Sequence, residues 1–76
     1  MGVKICIIGA GSAVFSINLI KDICINEHFN GSTVTLQDIN ERRLIGIYNL
    51  CKRYIQEEAR QIHLEKTMDR EAALKD

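Results

Sequence analysis

The fold of this chain is decided at residues 3–15, which have the sequence VKICIIGAGSAVF. Residues 3–8 form a short, almost continuous apolar run that ends at Gly9, and such a run is typical of a strand buried on both faces, as in a parallel sheet. Between Ala13 and Ile25, apolar residues cover most of the circumference of a helix, which predicts a largely buried helix. Gly9 and Gly11 form a GxG motif at the junction. The stretch therefore predicts a strand, a tight turn and a helix.

The rest of the chain repeats this alternation. In residues 33–37, TVTLQ, polar and apolar side chains alternate and three of the five are β-branched, which predicts a second strand. Asn40 is a suitable N-cap for a long helix whose apolar positions are 44, 47, 48, 51 and 55. Residues 62–66 predict a third strand, and Asp69 caps a last short helix that runs to Lys75. This β-α-β-α-β-α order predicts an α/β fold, a partial Rossmann-like, doubly wound parallel sheet of about three strands with right-handed crossovers.

Composition excludes several classes of function. The chain has 76 residues, enough for one small domain, and its 46% hydrophobic and 26% charged content is that of an ordinary soluble protein. Ten Lys and Arg balance ten Asp and Glu, so no basic surface for nucleic acid or an anionic membrane is expected. No apolar run approaches the roughly 18 residues of a membrane span, and residues 1–9 lack the long apolar region and small-residue cleavage site of a signal peptide. We therefore expect neither nucleic acid nor membrane as a partner.

The cysteines and histidines predict no metal centre. Cys6, Cys24 and Cys51 are an odd number without CxxC spacing, which argues against a disulfide scaffold and favours the reducing cytoplasm. All three lie on predicted buried faces, as small core hydrophobes do. His28 and His63 are expected to be solvated and provide no closed zinc site. Since no acid–base pair or activated nucleophile can be assembled, we predict no catalytic and no metal-ligating residue in this chain.

The junction after the first strand has the chemistry of an anion site. Gly9 permits the tight turn, and Gly11 lets a pyrophosphate approach the backbone where a Cβ would collide. The N–H groups and dipole of the following helix then face the anion, with the Ser12 hydroxyl as an extra donor. The third glycine of the GxGxxG pattern is replaced by Val14, so we expect the helix to lie slightly farther from the sheet or to tilt.

Asp38 is the second feature of this site, because it follows the second strand directly. A carboxylate there can accept hydrogen bonds from the adenosine ribose and repel a 2′-phosphate, which favours NAD over NADP. It lies 27 positions after Gly11, against the usual spacing of about 20, and the loop at 26–32 can absorb the difference. Arg42 and Arg43 are interpreted as a solvated first helical turn. A dinucleotide site is favoured, with a purely structural turn as the alternative.

Two long stretches of the chain resemble a known family. Residues 4–16, KICIIGAGSAVFS, and residues 31–44, GSTVTLQDINERRL, closely resemble the N-terminus of glycoside hydrolase family four, in its α-glucosidase and α-galactosidase branch. The similarity continues through residues 65–67 to the end and so covers nearly the whole chain. The GAGS sequence with a non-glycine third position is usual in that family. Gln37 stands where the family pattern has methionine, and we expect this difference to change nothing essential.

The resemblance implies unusual glycosidase chemistry. Members of the family use NAD and a divalent metal, typically manganese, instead of a carboxylate pair. The sugar loses a hydride from C3, which acidifies the C2 proton. A base then removes that proton, the aglycone leaves by elimination, water adds and the hydride returns, while the metal polarises the C3 oxygen. A lactate- or malate-type NAD-dependent dehydrogenase and a non-catalytic nucleotide-binding fragment remain as alternatives.

Carried over to this chain, the resemblance implies seven cofactor-binding positions. Positions 9, 11 and 12 would cradle the pyrophosphate, position 38 would hold the ribose, and the others would line the turn. The seven residues are Gly9, Ala10, Gly11, Ser12, Ala13, Val14 and Asp38.

The family's metal ligands and catalytic base lie beyond residue 76. We therefore expect residues 1–76 to be the N-terminal part of an NAD-binding domain, truncated after about three strands, with the catalytic and metal-binding domain absent and the chain inactive alone. In a strand order of 3-2-1-4 the first strand would have a bare edge, so association between copies and a homo-oligomer are expected.

Overall fold

The computed structural model describes residues 3–11, 13–58 and 61–74. Strands and helices alternate as predicted, with one short 3₁₀ turn at Glu27–Phe29 between the first helix and the second strand. The elements are β1 (Lys4–Ile8), α1 (Ala13–Ile25), β2 (Thr33–Gln37), α2 (Glu41–Glu57), β3 (His63–Thr67) and α3 (Arg70–Leu74). The third strand begins one residue later than predicted.

The three strands form one parallel sheet in the order β1-β2-β3. Ile7 lies opposite Leu36, and Val34 lies between Ile5 and Leu64. The helices α1 and α2 pack against each other, whereas α3 contacts all three strands. Cys6, which alternates with Ile7 along β1, donates its thiol hydrogen to the Ala73 carbonyl oxygen in α3. Helices therefore lie on both faces of the sheet, which confirms the partial Rossmann-like α/β fold.

One hydrophobic cluster holds the sheet against α1 and α2. Its members are buried side chains from every strand, from both long helices and from the turn after β1: Ile7, Ala10, Ile20, Ile23, Cys24, Val34, Leu36, Leu44, Ile47, Cys51, Ile55 and Leu64.

The expectation that β1 is buried on both faces is wrong. Ile7 is buried, but Lys4 and Ile8 are exposed and Cys6 is only half-buried. The fully buried strand is β2, in which the four residues from Val34 to Gln37 are at most 6% exposed. The difference arises because β2 has a paired strand on each side, whereas β1 lies at an edge of the described sheet.

The expectation that α1 is largely buried is also wrong. Val14 and Phe15 are 74% and 60% exposed, and Ile25 at the other end is exposed as well. The buried residues of the helix are Ser16, Ile20, Ile23 and Cys24, and the partly buried Ile17 and Leu19 also pack against the hydrophobic cluster. Its apolar circumference is therefore wider than the surface that the described chain covers.

The helix ends follow the predicted capping. The Asn40 side chain accepts a hydrogen bond from the Arg43 N–H group (3.1 Å) and begins α2. Asp69 Oδ1 accepts one from the Glu71 N–H group (2.9 Å) at the start of α3. Lys75, where the last helix was expected to end, lies outside the described residues. No helix in the described ranges is both long and apolar enough to cross a membrane.

Candidate functional site

The turn between β1 and α1 is bound to its surroundings on both sides. Gly9 has a φ of +75°, a conformation that favours glycine, as the predicted tight turn requires. The next residue, Ala10, is completely buried, and its N–H group donates to the Gln37 carbonyl oxygen at 2.8 Å. The buried Ser16 hydroxyl donates to the Ala10 carbonyl oxygen at 2.7 Å. The first turn of α1 and the end of β2 therefore position the GxG loop.

Asp38 lies directly against this loop. Its Oδ2 atom accepts a hydrogen bond from the Gly11 N–H group at 2.7 Å, and its Oδ1 atom accepts one from the Asn40 N–H group at 2.8 Å. The Asn40 and Gly11 hydrogen bonds, with a smaller contribution from the Arg43 charge, hold the pKa of the Asp38 carboxyl below its ordinary value against the opposing effect of desolvation. Asp38 is therefore an anion at neutral pH, half-buried at the carboxyl ends of β1 and β2.

Gly11 is confined by the same carboxylate. A Cβ atom at this position would lie 2.5 Å from Asp38 Oδ2, 3.0 Å from Asp38 Cγ and 3.2 Å from Arg43 Cβ. From the sequence, the space beside the Gly11 Cα atom is expected to admit a pyrophosphate. In the structure, the chain's own side chains already approach so closely that only glycine fits.

The loop's three N–H groups are all directed at the end of β2. Gly9 donates to Gln37 Oε1 over a long 3.4 Å, Ala10 to the Gln37 carbonyl oxygen, and Gly11 to Asp38. An anion at this junction would instead meet the first turn of α1, whose N–H groups have no partner within the helix. That turn contains no acidic residue. Cofactor contacts by Gly9 and Gly11 stay predictions, and in this geometry both glycines shape the loop.

Four of the seven predicted positions therefore come together: Gly9, Ala10, Gly11 and Asp38. Val14 lies in the first turn of α1 with its side chain in solvent, and its effect on the distance or tilt of the helix stays a prediction. Ser12 and the side chain of Ala13 lie outside the described residues. Their predicted roles remain predictions.

Sequence reasoning missed Gln37 and Ser16. Gln37 is 3% exposed, and besides its contact with Gly9 it donates from Nε2 to the Met68 carbonyl oxygen at 3.2 Å. A methionine side chain, which has no amide group, could make neither of these amide bonds. The available signal was a polar residue at the end of a strand with apolar neighbours. For Ser16 it was a hydroxyl in line with Ile20 and Ile23 on α1.

The remaining candidates are the three cysteines and the two histidines. Cys24 and Cys51 are buried as predicted, Cys6 is only half-buried, and none of the three forms a disulfide. Burial, with a smaller effect of Cys24, raises the pKa of the Cys51 thiol to about 11. The two histidines, His28 and His63, are exposed. Within residues 3–11, 13–58 and 61–74, no group of three His, Cys, Asp or Glu side chains could hold a metal ion.

Comparison with known families identifies the chain. A family model described as family 4 glycosyl hydrolase matches residues 4–76. The match includes the GxG turn, the end of β2 with Asp38, and all six strands and helices. The resemblance that was noted on residues 4–16 and 31–44 is thereby confirmed. The chain belongs to family 4 of the glycosyl hydrolases.

Proposed function

We propose that residues 1–76 form the NAD-binding segment of an NAD- and manganese-dependent α-glycosidase. Family membership supports the glycosidase class. The observation that carries the cofactor proposal is the Asp38 carboxylate, which lies 2.7 Å from the Gly11 N–H group beside the first turn of α1. A lactate- or malate-type dehydrogenase would share this turn, but the family match favours the glycosidase.

The residues present fit the adenosine ribose. An ionised carboxylate offers about four lone-pair sites, and Gly11 and Asn40 occupy one on each oxygen of Asp38. Neither oxygen is saturated by these two bonds, so the carboxylate can still accept from the hydroxyl groups of a ribose. A 2′-phosphate would bring negative charge close to a carboxylate whose pKa is lowered. The site should therefore prefer NAD to NADP.

The start of α1 fits the pyrophosphate. The helix has 13 residues and no acidic side chain in its first turn, so no carboxylate of that turn competes for its N–H groups. Gly9, at positive φ, turns the chain sharply from β1 into this helix, and Ala10 anchors the turn in the core. The turn thereby leads from Gly11, which bonds the Asp38 carboxylate, towards the start of this helix.

When bound, NAD supplies a hydride acceptor for the sugar C3 atom in the proposed oxidation, elimination, hydration and reduction sequence. The residues of this chain bind and orient that cofactor, with Asp38 as the acceptor for its ribose. The described part of the chain contains no cluster that could hold manganese. We propose that the catalytic base and the metal ligands belong to a catalytic region outside residues 1–76, that the whole enzyme is cytoplasmic and oligomeric, and that its substrate is a small α-glycoside.

Calorimetric titration with NAD, and with NADP for comparison, tests the proposal. We expect NAD to bind more tightly than NADP. Asp38→Asn should weaken NAD binding about tenfold or more, because a neutral amide is a weaker acceptor for the ribose. It should also reduce the preference for NAD over NADP, because the amide no longer repels a 2′-phosphate. Asp22→Asn, the same change at an exposed position of α1, is the matched control and should leave affinity unchanged. A folded chain that binds neither nucleotide would overturn the proposal. In a separate assay, we expect this chain alone not to hydrolyse nitrophenyl α-glycosides.

A further inference from the structure

Gln37 is a buried amide with partners on two other elements. It is the last residue of β2 and is 3% exposed. Its Oε1 atom accepts from the Gly9 N–H group at 3.4 Å, and its Nε2 atom donates to the Met68 carbonyl oxygen at 3.2 Å. Gly9 directly follows β1 and Met68 directly follows β3. One side chain thus connects the carboxyl ends of all three strands.

The two bonds restrain the most adaptable part of the loop. Gly9 has positive φ and open space around its Cα, so packing alone does not restrict its conformation. Its N–H group is the only one of the loop's three that depends on the Gln37 side chain, since Ala10 donates to the Gln37 backbone and Gly11 to Asp38. Losing that side-chain acceptor would release the loop at its start while leaving the other two bonds in place.

We infer that Gln37 is a positioning residue of the dinucleotide site. Its amide orients the Gly9 turn against the β3–α3 junction. The Gly9 turn then determines the position of Gly11 and of the start of α1. The inference rests on the proposed function, because it assigns Gln37 to the same site. A loop held in place before binding loses less conformational entropy when the cofactor binds, so Gln37 should increase affinity without touching the ligand.

The test compares Gln37→Met with Thr35→Val. Methionine has a similar length but makes neither amide bond. Thr35 is the matched control: it lies on the same strand and the same face, is 6% exposed, and makes one long side-chain bond to Glu65 Oε1 at 3.4 Å. Both variants remove buried side-chain hydrogen bonds, but only Gln37→Met removes one from the Gly9 turn. Melting temperature, hydrogen exchange of the Gly9 amide by NMR, and the Kd for NAD are measured on each.

We expect both variants to melt at lower temperature, whereas only Gln37→Met accelerates exchange at Gly9 and raises the Kd for NAD about threefold to tenfold. An unchanged Kd and unchanged Gly9 exchange in folded Gln37→Met would overturn the inference. An equal rise in Kd for Thr35→Val would also overturn it, since Gln37 would then act only through stability.

A second variant covers failure of Gln37→Met to fold. Gln37→Glu keeps an acceptor for the Gly9 N–H group but loses the donor to Met68, so Gly9 exchange should stay slow. Fast exchange in Gln37→Glu would contradict the assignment. If the wild-type chain binds no NAD, the proposed function fails, whereas the exchange measurements still decide whether the Gln37 side chain holds the Gly9 turn.

Discussion

The Asp38 carboxylate accepts a hydrogen bond from the Gly11 N–H group at 2.7 Å, although 27 positions separate the two residues in the chain. The same carboxylate also bonds the Asn40 N–H group at the start of α2. One side chain therefore ties the loop before α1 to the loop before α2. This contact explains why position 11 is glycine and why the site carries a negative charge before any ligand binds.

Gly11→Ala should destabilise the chain. The new Cβ would lie 2.5 Å from Asp38 Oδ2, so the carboxylate or the loop must move, at a cost of about 1–3 kcal/mol in the free energy of unfolding. Gly46→Ala is the matched control: its Cβ would meet nothing within 4 Å in the middle of α2, and helix propensity should stabilise it by up to about 1 kcal/mol. Urea unfolding measures both. Equal effects of the two substitutions would contradict the close approach of Asp38 to Gly11.

Asp38 should make stability depend on pH in the acidic range. Its folded pKa is lowered from the ordinary value of 3.8, so its contribution is fully present above that value and is lost as the pH falls through the folded pKa. The difference in unfolding free energy between the wild type and Asp38→Asn should therefore be largest near neutral pH and shrink in acid. A difference that grows in acid would contradict the lowered pKa.

Arg43 should help to keep Asp38 ionised. Its charge lowers the pKa of Asp38, as the third favourable influence after the Asn40 and Gly11 hydrogen bonds. Arg43→Ala should therefore raise the Asp38 pKa towards the ordinary value, as measured by NMR titration of the carboxyl carbon. Arg42→Ala, at the neighbouring exposed position of α2, is the control and should leave the Asp38 titration unchanged. A larger rise of the Asp38 pKa in Arg42→Ala than in Arg43→Ala would contradict the placement of Arg43.

Truncating side chains to alanine on the two faces of α1 should have different effects on stability. Ile20 is completely buried in the cluster between α1 and the sheet, so Ile20→Ala should lower the free energy of unfolding by about 2–5 kcal/mol and reduce the folded fraction seen by circular dichroism. Phe15 is 60% exposed, so Phe15→Ala should cost about 1 kcal/mol or less. A larger loss for Phe15→Ala would show that a partner or a second copy covers this face in solution.

Cys51 should make the fold sensitive to alkali. The unfolded thiol loses its proton near 9.0, whereas the buried thiol keeps it up to a pKa of about 11. The stability is therefore complete below pH 9 and declines as the pH rises through this window, because the unfolded state gains the charged form first. Cys51→Ala should decline less over the same range in urea unfolding. An identical decline would contradict the raised pKa.

Local sequence patterns predicted the strands, helices and turns well, because these elements depend mainly on residues that are close together in the chain. The GxG turn, the Asn40 cap and the spans of α1 and β2 were all correct. Burial was predicted less well. The apolar run of β1 and the wide apolar surface of α1 suggested deep burial, yet burial depends on which elements lie alongside, and the strand with covered faces is β2.

The sequence by itself determined the order of strands and helices, the positive-φ turn at Gly9 and the place of Asp38 at the end of β2, because each follows from periodicity or from the conformational range of one residue. Only the tertiary structure decided that Asp38 bonds Gly11 and that Gln37 links Gly9 to Met68. Those contacts join residues about 30 positions apart, and they exist only once the parallel sheet has brought its carboxyl ends together.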